Sequence, residues 1–198
     1  MASALLRAMT VAVAAVSVGG LLAAGRSPGT QGIAPETVAE YIHAVIEADR
    51  AIYTKHVVER LQTRGILEAS EHWESDNTLP LPAQFLIDAA RLVAKKQRGI
   101  RYRLISLWPI YERNGPATEF ERSGLQAVLK QPDRPHTGFL ENGRERFFQA
   151  IYADIGVTPS CIGCHNAHPH SPRRDFKVND VMGGIVITVP VGNDVRGR

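Results

Sequence analysis

The amino-acid sequence predicts a single α+β domain. Helical patterns alternate with short strand patterns along the chain, and one pair of strands is antiparallel because Asn142-Gly143 joins them. The 198 residues suffice for one domain with a full hydrophobic core. The formal net charge of +3 is small, so the composition gives no indication of nucleic-acid binding.

The N-terminal segment is not expected to belong to that domain. Arg7 ends a short basic region, and the run from Ala8 to Gly25 is almost wholly apolar and rich in small residues. We interpret residues 1–25 as a secretory signal peptide and residues 26–35 as a linker. An uncleaved membrane anchor is the alternative. The domain then spans residues 36–198 and is exported, to the periplasm in a bacterium.

The first element of the domain is a long helix from about Pro35 or Glu36 to Arg64, where Gly65 stops it. Apolar residues recur along it at three-, four- and seven-residue steps, namely Val38, Ile42, Val45 and Ile52. On a helical wheel His56 lies near the middle of this apolar stripe, whereas His43 lies well to one side. A histidine among apolar neighbours is usually a core residue with satisfied hydrogen bonds.

The middle of the chain predicts a loop, a helix and a strand. Residues 68–78 are polar and read as a loop, and a helix follows from about Pro82 to Gln97. Ile100 to Trp108 begins with alternating apolar and polar residues, which predicts a strand with Arg101 and Arg103 on one face.

A capping box and a hairpin come next. Thr118 and Glu121 form the capping box, which opens a short helix. Thr137 to Glu141 and Arg144 to Tyr152 flank the Asn-Gly pair and predict two paired strands. After a stretch that is mostly loop, the β-branched run Ile185 to Val189 predicts a final strand.

The most informative motif lies between the hairpin and the final strand. Cys161, Cys164 and His165 form the pattern C-x-x-C-H, which is the attachment signature of c-type haem. Two thiols three positions apart on a helical turn can add to the two vinyl groups of one porphyrin. The adjacent imidazole then lies under the iron as its proximal ligand. Both cysteines of the chain belong to the motif, so the sequence predicts one covalently bound haem.

Three other interpretations of the cysteines stay open. A structural disulfide would suit an exported protein, but it would give His165 no role. A thioredoxin-like redox pair requires a βαβ context, which the pattern around the motif lacks. A zinc site could use Cys161 and Cys164 together with His168 and His170.

Further residues are candidates for contacts with a haem. His56 is the candidate distal iron ligand, and Met182, which closely follows the motif, is its rival. Met182 is followed by Gly183-Gly184, a pair that also fits a plain tight turn. Arg101 and Arg103 are candidate partners of the haem propionates, because a guanidinium matches a carboxylate in a two-point contact. A solvent-exposed strand face is the alternative, and it explains these arginines better.

The chain also resembles a known family. The residues that carry the resemblance are Arg103-Leu-Ile-Ser106, Leu107-Trp-Pro109, Asn114-x-Pro116 with Glu121, Cys161-Ile-Gly-Cys-His-Asn166, and His168-Pro-His-Ser-Pro172 with Asp175, Lys177, Asp180-Val181 and Gly183. From Glu36 to Val191 the chain resembles bacterial c-type-haem domains with a PAS-like fold, which often precede signalling modules. The resemblance implies a five-stranded antiparallel sheet flanked by helices. It carries over the two thioether sites and the proximal histidine, and it implies that the long first helix supplies the distal side.

The sequence leaves three classes of function. A redox or diatomic-gas sensor would have an exchangeable sixth iron position, whereas a one-electron carrier would stay six-coordinate. A peroxidase-like enzyme would need a distal acid–base group with an accompanying arginine, and none is identifiable, so we expect a protein that is not an enzyme. No signalling module is recognisable, so we expect a redox partner or a separate signalling protein. Contact with a membrane is expected only if the signal segment is uncleaved.

Overall fold

A four-stranded antiparallel sheet with helices on both faces dominates the computed structural model, which describes residues 32–96 and 99–192. The predicted α+β class is confirmed. The resemblance implied five strands in this sheet, and the described residues supply four, with two further strands in a small parallel pair. The predicted signal peptide lies outside the described residues, as does most of the predicted linker. Among the helices that are described, none is long and apolar enough to cross a membrane.

The predicted helices and strands are present, but residues 68–78, which we expected to be a loop, contain a two-residue strand and a short helix. The helices are α1 (Pro35–Ile52), which continues as a π-helix (Tyr53–Glu59) and as α2 (Arg60–Thr63), then α3 (Trp73–Asp76), α4 (Pro82–Lys96), α5 (Glu119–Lys130) and α6 (Pro159–Ala167). A single 3-10 turn covers Glu112–Asn114. The strands are β1 (Ala69–Ser70), β2 (Leu79–Pro80), β3 (Arg101–Ile105), β4 (His136–Asn142), β5 (Glu145–Ile155) and β6 (Val181–Val191).

The C-terminal strand β6 lies inside the main sheet, whose order is β3-β6-β5-β4. Strands β4 and β5 form the predicted hairpin, and Gly143 in its turn adopts a φ of 62°, which glycine tolerates without steric cost. Residues Val181 to Val189 are all buried, since strands flank β6 on both edges and helices cover both faces. Strand β6 extends beyond the predicted run from Ile185 to Val189 at both ends.

Two apolar clusters hold the helices on the sheet. On one face α1 and α4 pack against β5 and β6 through Ala39, Ile46, Leu86, Phe148, Ala150, Ile185, Ile187 and Val189. On the other face α5 packs through Leu125 and Val128 against Ile105, Ile151 and Val186. Helix α5 begins with the predicted capping box. The Glu121 N–H donates to the Thr118 hydroxyl at 3.1 Å, and the Glu121 carboxylate accepts from the Ala117 N–H at 2.6 Å.

The long first helix has the predicted extent but only part of the predicted buried face, since Val38 and Ile42 pack against the core. Val45 and Ile52 are 61% and 57% exposed. The buried face instead carries Ala39 and Ile46, and beyond Ile52 it continues through Thr54 and Val58. It also includes the half-buried His43 and Arg50, which interrupt the apolar pattern on which the helical wheel was based.

His56 is consequently not in a buried stripe. It lies within the π-helical segment, where each residue advances less around the helix axis than in an α-helix, so a wheel with 3.6 residues per turn misplaces it. The side chain of His56 is exposed. His43, which the wheel set to one side, stacks on Tyr152 with ring centroids 4.0 Å apart, and burial lowers the pKa of His43.

Candidate functional site

The C-x-x-C-H motif lines a largely apolar cavity of about 350 Å³. Helix α6 forms one wall, and the first helix, the start of α4 and the chain after β3 form the others. Its apolar residues include Val58, Leu81, Ile87, Leu104, Trp108, Pro109, Ile110 and Met182. A cavity of this size and character is typical of small-molecule and cofactor sites.

The beginning of α6 sets the positions of the two thiols. Thr158 caps the helix, since its hydroxyl accepts from the Cys161 N–H at 3.4 Å, and Pro159 occupies the first turn. The Thr158 hydroxyl also lies 3.3 Å from the Cys161 sulfur. Cys161 and Cys164 lie one helical turn apart, both line the cavity, and both are free thiols. The structure therefore does not show the disulfide alternative.

His165 provides a neutral imidazole beside these thiols. It lines the cavity, and its Nδ1 atom is buried with no hydrogen-bond partner in the part of the chain that the structure describes. Burial lowers the pKa of His165, so the ring is neutral near pH 7, and a neutral imidazole is the form that binds metal ions. The ring packs edge-on against Phe176 with centroids 5.9 Å apart.

The loop after the motif is fastened to α6. The Asn166 side-chain amide donates to the Phe176 carbonyl at 2.9 Å and accepts from the Phe176 N–H at 3.1 Å. The Arg173 guanidinium lies over the rings of Trp108 and Phe176, at 4.5 Å and 4.3 Å from their centroids. These contacts hold Phe176 against His165 and restrict the orientation of the imidazole.

A buried ion pair crosses the wall of the cavity. Arg50 of α1 pairs with Asp154 of β5, and their side chains are 14% and 11% exposed. Arg50 also donates to the Ile155 carbonyl at 3.4 Å. Burial alone would lower the pKa of Arg50, but the charge and the hydrogen bond of Asp154 oppose it, and the net direction is upward. Sequence reasoning did not reveal this pair, whose one local signal is a carboxylate that directly follows the run from Ala150 to Ala153.

A second polar cluster lines the cavity near its rim. The Tyr111 hydroxyl donates to the Glu71 carboxylate, and His168 Nε2 lies 3.5 Å from the same carboxylate. These bonds, Tyr111 first, hold the pKa of Glu71 below its ordinary value. His168 Nδ1 accepts from the His170 N–H at 3.1 Å, so both ring nitrogens of His168 already have partners.

That arrangement does not bring Cys161, Cys164, His168 and His170 together as the alternative zinc site requires. His168 is directed to Glu71 rather than to the thiols. Within residues 32–96 and 99–192, no three His, Cys, Asp or Glu side chains are grouped so that they could hold a metal ion.

The structure brings Met182, but not His56, to the motif. Met182 is buried and lines the cavity, and the Ser106 hydroxyl donates to its carbonyl at 2.7 Å. The exposed His56 does not line the cavity. Of the two predicted distal ligands, only Met182 lies in a position that fits the prediction.

The two predicted propionate partners lie in a different groove. Arg103 donates to the Gly115 carbonyl at 2.8 Å and lies 3.4 Å from the Glu121 carboxylate, while Arg101 lies over the Phe147 ring. They project from the sheet face opposite α1 and do not line the cavity, so the structure does not bring these two candidates to the motif. The arginines that do line the cavity are Arg50 and Arg113.

An α+β domain in which two free thiols and a neutral imidazole border one apolar cavity has the arrangement of a cofactor-binding domain. The chain belongs to the Tll0287-like family, whose model matches residues 34–190. It is similar in fold to the crystal structure of the cyanobacterial haem protein Tll0287, with a TM-score of 0.52 and 15% sequence identity. The match covers 82% of this chain and 99% of that one. No curated protein sequence matches the chain significantly. The family predicted from the sequence is thus confirmed.

Replacing Asp154 with Asn should destabilise the fold. The buried Arg50 guanidinium would lose its counter-charge, and we expect the free energy of unfolding in urea to fall by about 3 kcal/mol. Asp88→Asn is the matched control, because the Asp88–Arg91 pair is exposed, and its loss should cost less than about 0.5 kcal/mol. Equal effects of the two substitutions would contradict the structural role given to Asp154.

Tyr111→Phe should make the free energy of unfolding less dependent on pH in the acidic range. The pKa of Glu71 is lowered in the folded state, so its contribution is complete above its ordinary value of 4.5 and is lost as pH falls through the folded value. Without the hydroxyl that pKa should rise, and near pH 7 about 0.5–1 kcal/mol should be lost, since Glu71 is partly exposed. The wild type and the variant should then converge in acid.

Tyr53→Phe is the control for this experiment. It removes a hydroxyl that donates to the Pro80 carbonyl at 2.7 Å, which does not titrate. Its cost should not change with pH across the acidic range. If the loss of stability in Tyr111→Phe were equally independent of pH, the pKa of Glu71 would not depend on the hydrogen bond from Tyr111.

Proposed function

We propose that this is an exported, non-enzymatic protein that binds one haem covalently in the α6 cavity. One observation carries the proposal: two free thiols and a neutral imidazole with an unpartnered buried nitrogen line the same apolar cavity. The cyanobacterial protein of similar fold is a haem protein, which supports the choice of cofactor. Bound haem would supply an iron that cycles between the ferric and ferrous states.

Different residues of the cavity would contact different parts of the haem. Each thiol, on Cys161 and on Cys164, would add its S–H across one vinyl double bond and form a thioether. His165 would offer its neutral imidazole to the iron, and Phe176 would keep the ring oriented. Arg113, in place of the predicted Arg101 and Arg103, is the arginine available to a propionate carboxylate, since Arg50 is already paired with Asp154.

We propose further that the protein senses a redox change or a diatomic gas through a partner. The first helix supports this role, because Arg50 and Gln62 line the cavity on either side of the π-helical segment and Val58 lines it from within that segment. A π-helical turn within an α-helix is often found at functional sites. A change in the cavity could shift this helix between two arrangements, as a PAS-like sensor domain in the periplasm requires.

An electron carrier is the second candidate, and Met182 favours it. This methionine is buried, lines the same cavity and is anchored through its carbonyl by Ser106. A thioether that stays on the iron would keep it six-coordinate in both oxidation states. The two roles therefore differ in whether the sixth position can be exchanged.

Covalent attachment has a direct test in a bacterial host that exports the chain and attaches c-type haem. Cys161→Ser combined with Cys164→Ser should abolish haem staining on a denaturing gel, because no thioether could form. His56→Ala should keep the stain, since His56 is exposed and does not line the cavity. A stain that persists without both thiols would overturn the proposal.

The choice between sensor and carrier can be tested by adding carbon monoxide to the reduced protein. If the protein senses, the optical spectrum of the wild type should shift, because the sixth position is exchangeable. If Met182 holds that position, the wild type should not respond, whereas Met182→Leu should. A wild type and a Met182→Leu variant that are both unresponsive would exclude gas sensing and the methionine ligand alike.

A further inference from the structure

Strand β3 forms one edge of the main sheet, and a groove of about 790 Å³ lies beside it. Among the described residues β3 pairs only with β6, so its other edge faces no strand. Four consecutive residues of β3, from Arg101 to Leu104, line the groove. Successive side chains of a strand point to opposite faces of the sheet. A groove lined by all four therefore reaches the strand edge, and from there it extends over the sheet, where Phe147, Gln149 and Thr188 also line it.

One side of the groove is apolar and has room for small side chains. Tyr102 and Leu104 project to the sheet face that α4 covers, and Leu86 of α4 anchors them in the core. Farther along α4, Ala90 and Ala94 line the groove, and their short side chains leave the space beside the strand open.

The other side of the groove is positively charged. Arg101 and Arg103 project there, and in all four arginines and two glutamates line the groove, namely Arg91, Arg101, Arg103, Arg113, Glu121 and Glu141. Of the two glutamates, Glu121 is buried and lies 3.4 Å from the Arg103 guanidinium, and Glu141 is exposed, so four arginines against two glutamates leave an excess of two positive charges. Arg101 is exposed, so its charge is available to an incoming carboxylate.

We propose that the free edge of β3 is a docking site for an extended segment of another protein, which adds to the sheet as a strand. Backbone hydrogen bonds to β3 would provide the attachment, as in other cases of strand addition. The pleat then dictates the side-chain pattern. Acidic residues would alternate with small apolar ones, the former facing Arg101 and Arg103 and the latter facing Tyr102 and Leu104.

This inference goes beyond the proposed function and does not depend on haem. A sensor or a carrier needs a protein partner. The β3 edge would be the binding site for that partner, and the groove defines the side-chain chemistry that the partner should have. The competing explanation is that the arginines protect an exposed edge from pairing, which is a common device in sheet proteins.

The test titrates a fluorescent peptide, acetyl-Glu-Val-Glu-Val-Glu-Val, against the exported protein and follows fluorescence anisotropy. Binding should be saturable, and the Lys-Val peptide of the same length should bind at least about tenfold more weakly. Arg101→Gln should weaken binding of the acidic peptide by about tenfold. Arg122→Gln is the matched control, because Arg122 is also an exposed arginine but does not line the groove, and it should have no effect.

Backbone methylation separates strand addition from simple charge attraction. Two further peptides carry N-methyl groups on alternate amides, so that only one of them loses the N–H groups that face β3. One methylated peptide should lose binding by at least about tenfold and the other should retain it. Equal binding of the two, equal binding of the Lys-Val peptide, or no saturable binding at all would overturn the proposal. The result is independent of haem content, since the Cys161→Ser, Cys164→Ser protein should bind the peptide equally well.

Discussion

The buried ion pair between Arg50 and Asp154 ties the first helix to the sheet beside the thiols of α6. A buried charge is costly without its partner, so neither residue can move far from the other without a large loss of stability. The pair therefore fixes the distance between the helix that carries Val58 and Gln62 and the strand that leads into the motif. The shape of the cavity depends on that spacing.

A second constraint acts on the opposite side of the cavity. Ser106, directly after β3, donates to the Met182 carbonyl at the start of β6 and accepts from the Trp108 N–H. Trp108 in turn packs against Phe176, the residue that Asn166 holds against His165. The segment after β3, the central strand and the motif loop thus form one connected wall. Neutral and apolar contacts dominate this wall, whereas a charge pair dominates the other.

Local patterns in the sequence predicted where the helices and strands lie but not which face of each is buried. Hydrophobic periodicity and Gly65 predicted the extent of the first helix, and the Asn-Gly pair and the capping box predicted the hairpin and α5. The buried face of the first helix could not be predicted, because Arg50, His43 and Thr54 occupy it and an apolar pattern does not count them. Partners far apart in sequence, such as Asp154 for Arg50, cannot be matched to each other from local patterns. For the same reason, the alternation of residues identified the two faces of β3 but not which of them borders the cavity.

The motif itself was readable because its chemistry is local: the cysteines and the histidine lie on one short helix. The measurement that tests the central claim most directly is the mass of the proteolytic peptide that contains Cys161 to His165, taken from protein exported by a host that attaches c-type haem. The account predicts that this peptide carries the mass of one haem and that the intact protein has a Soret band. A peptide with two unmodified thiols or an internal disulfide, from a protein without a Soret band, would contradict it.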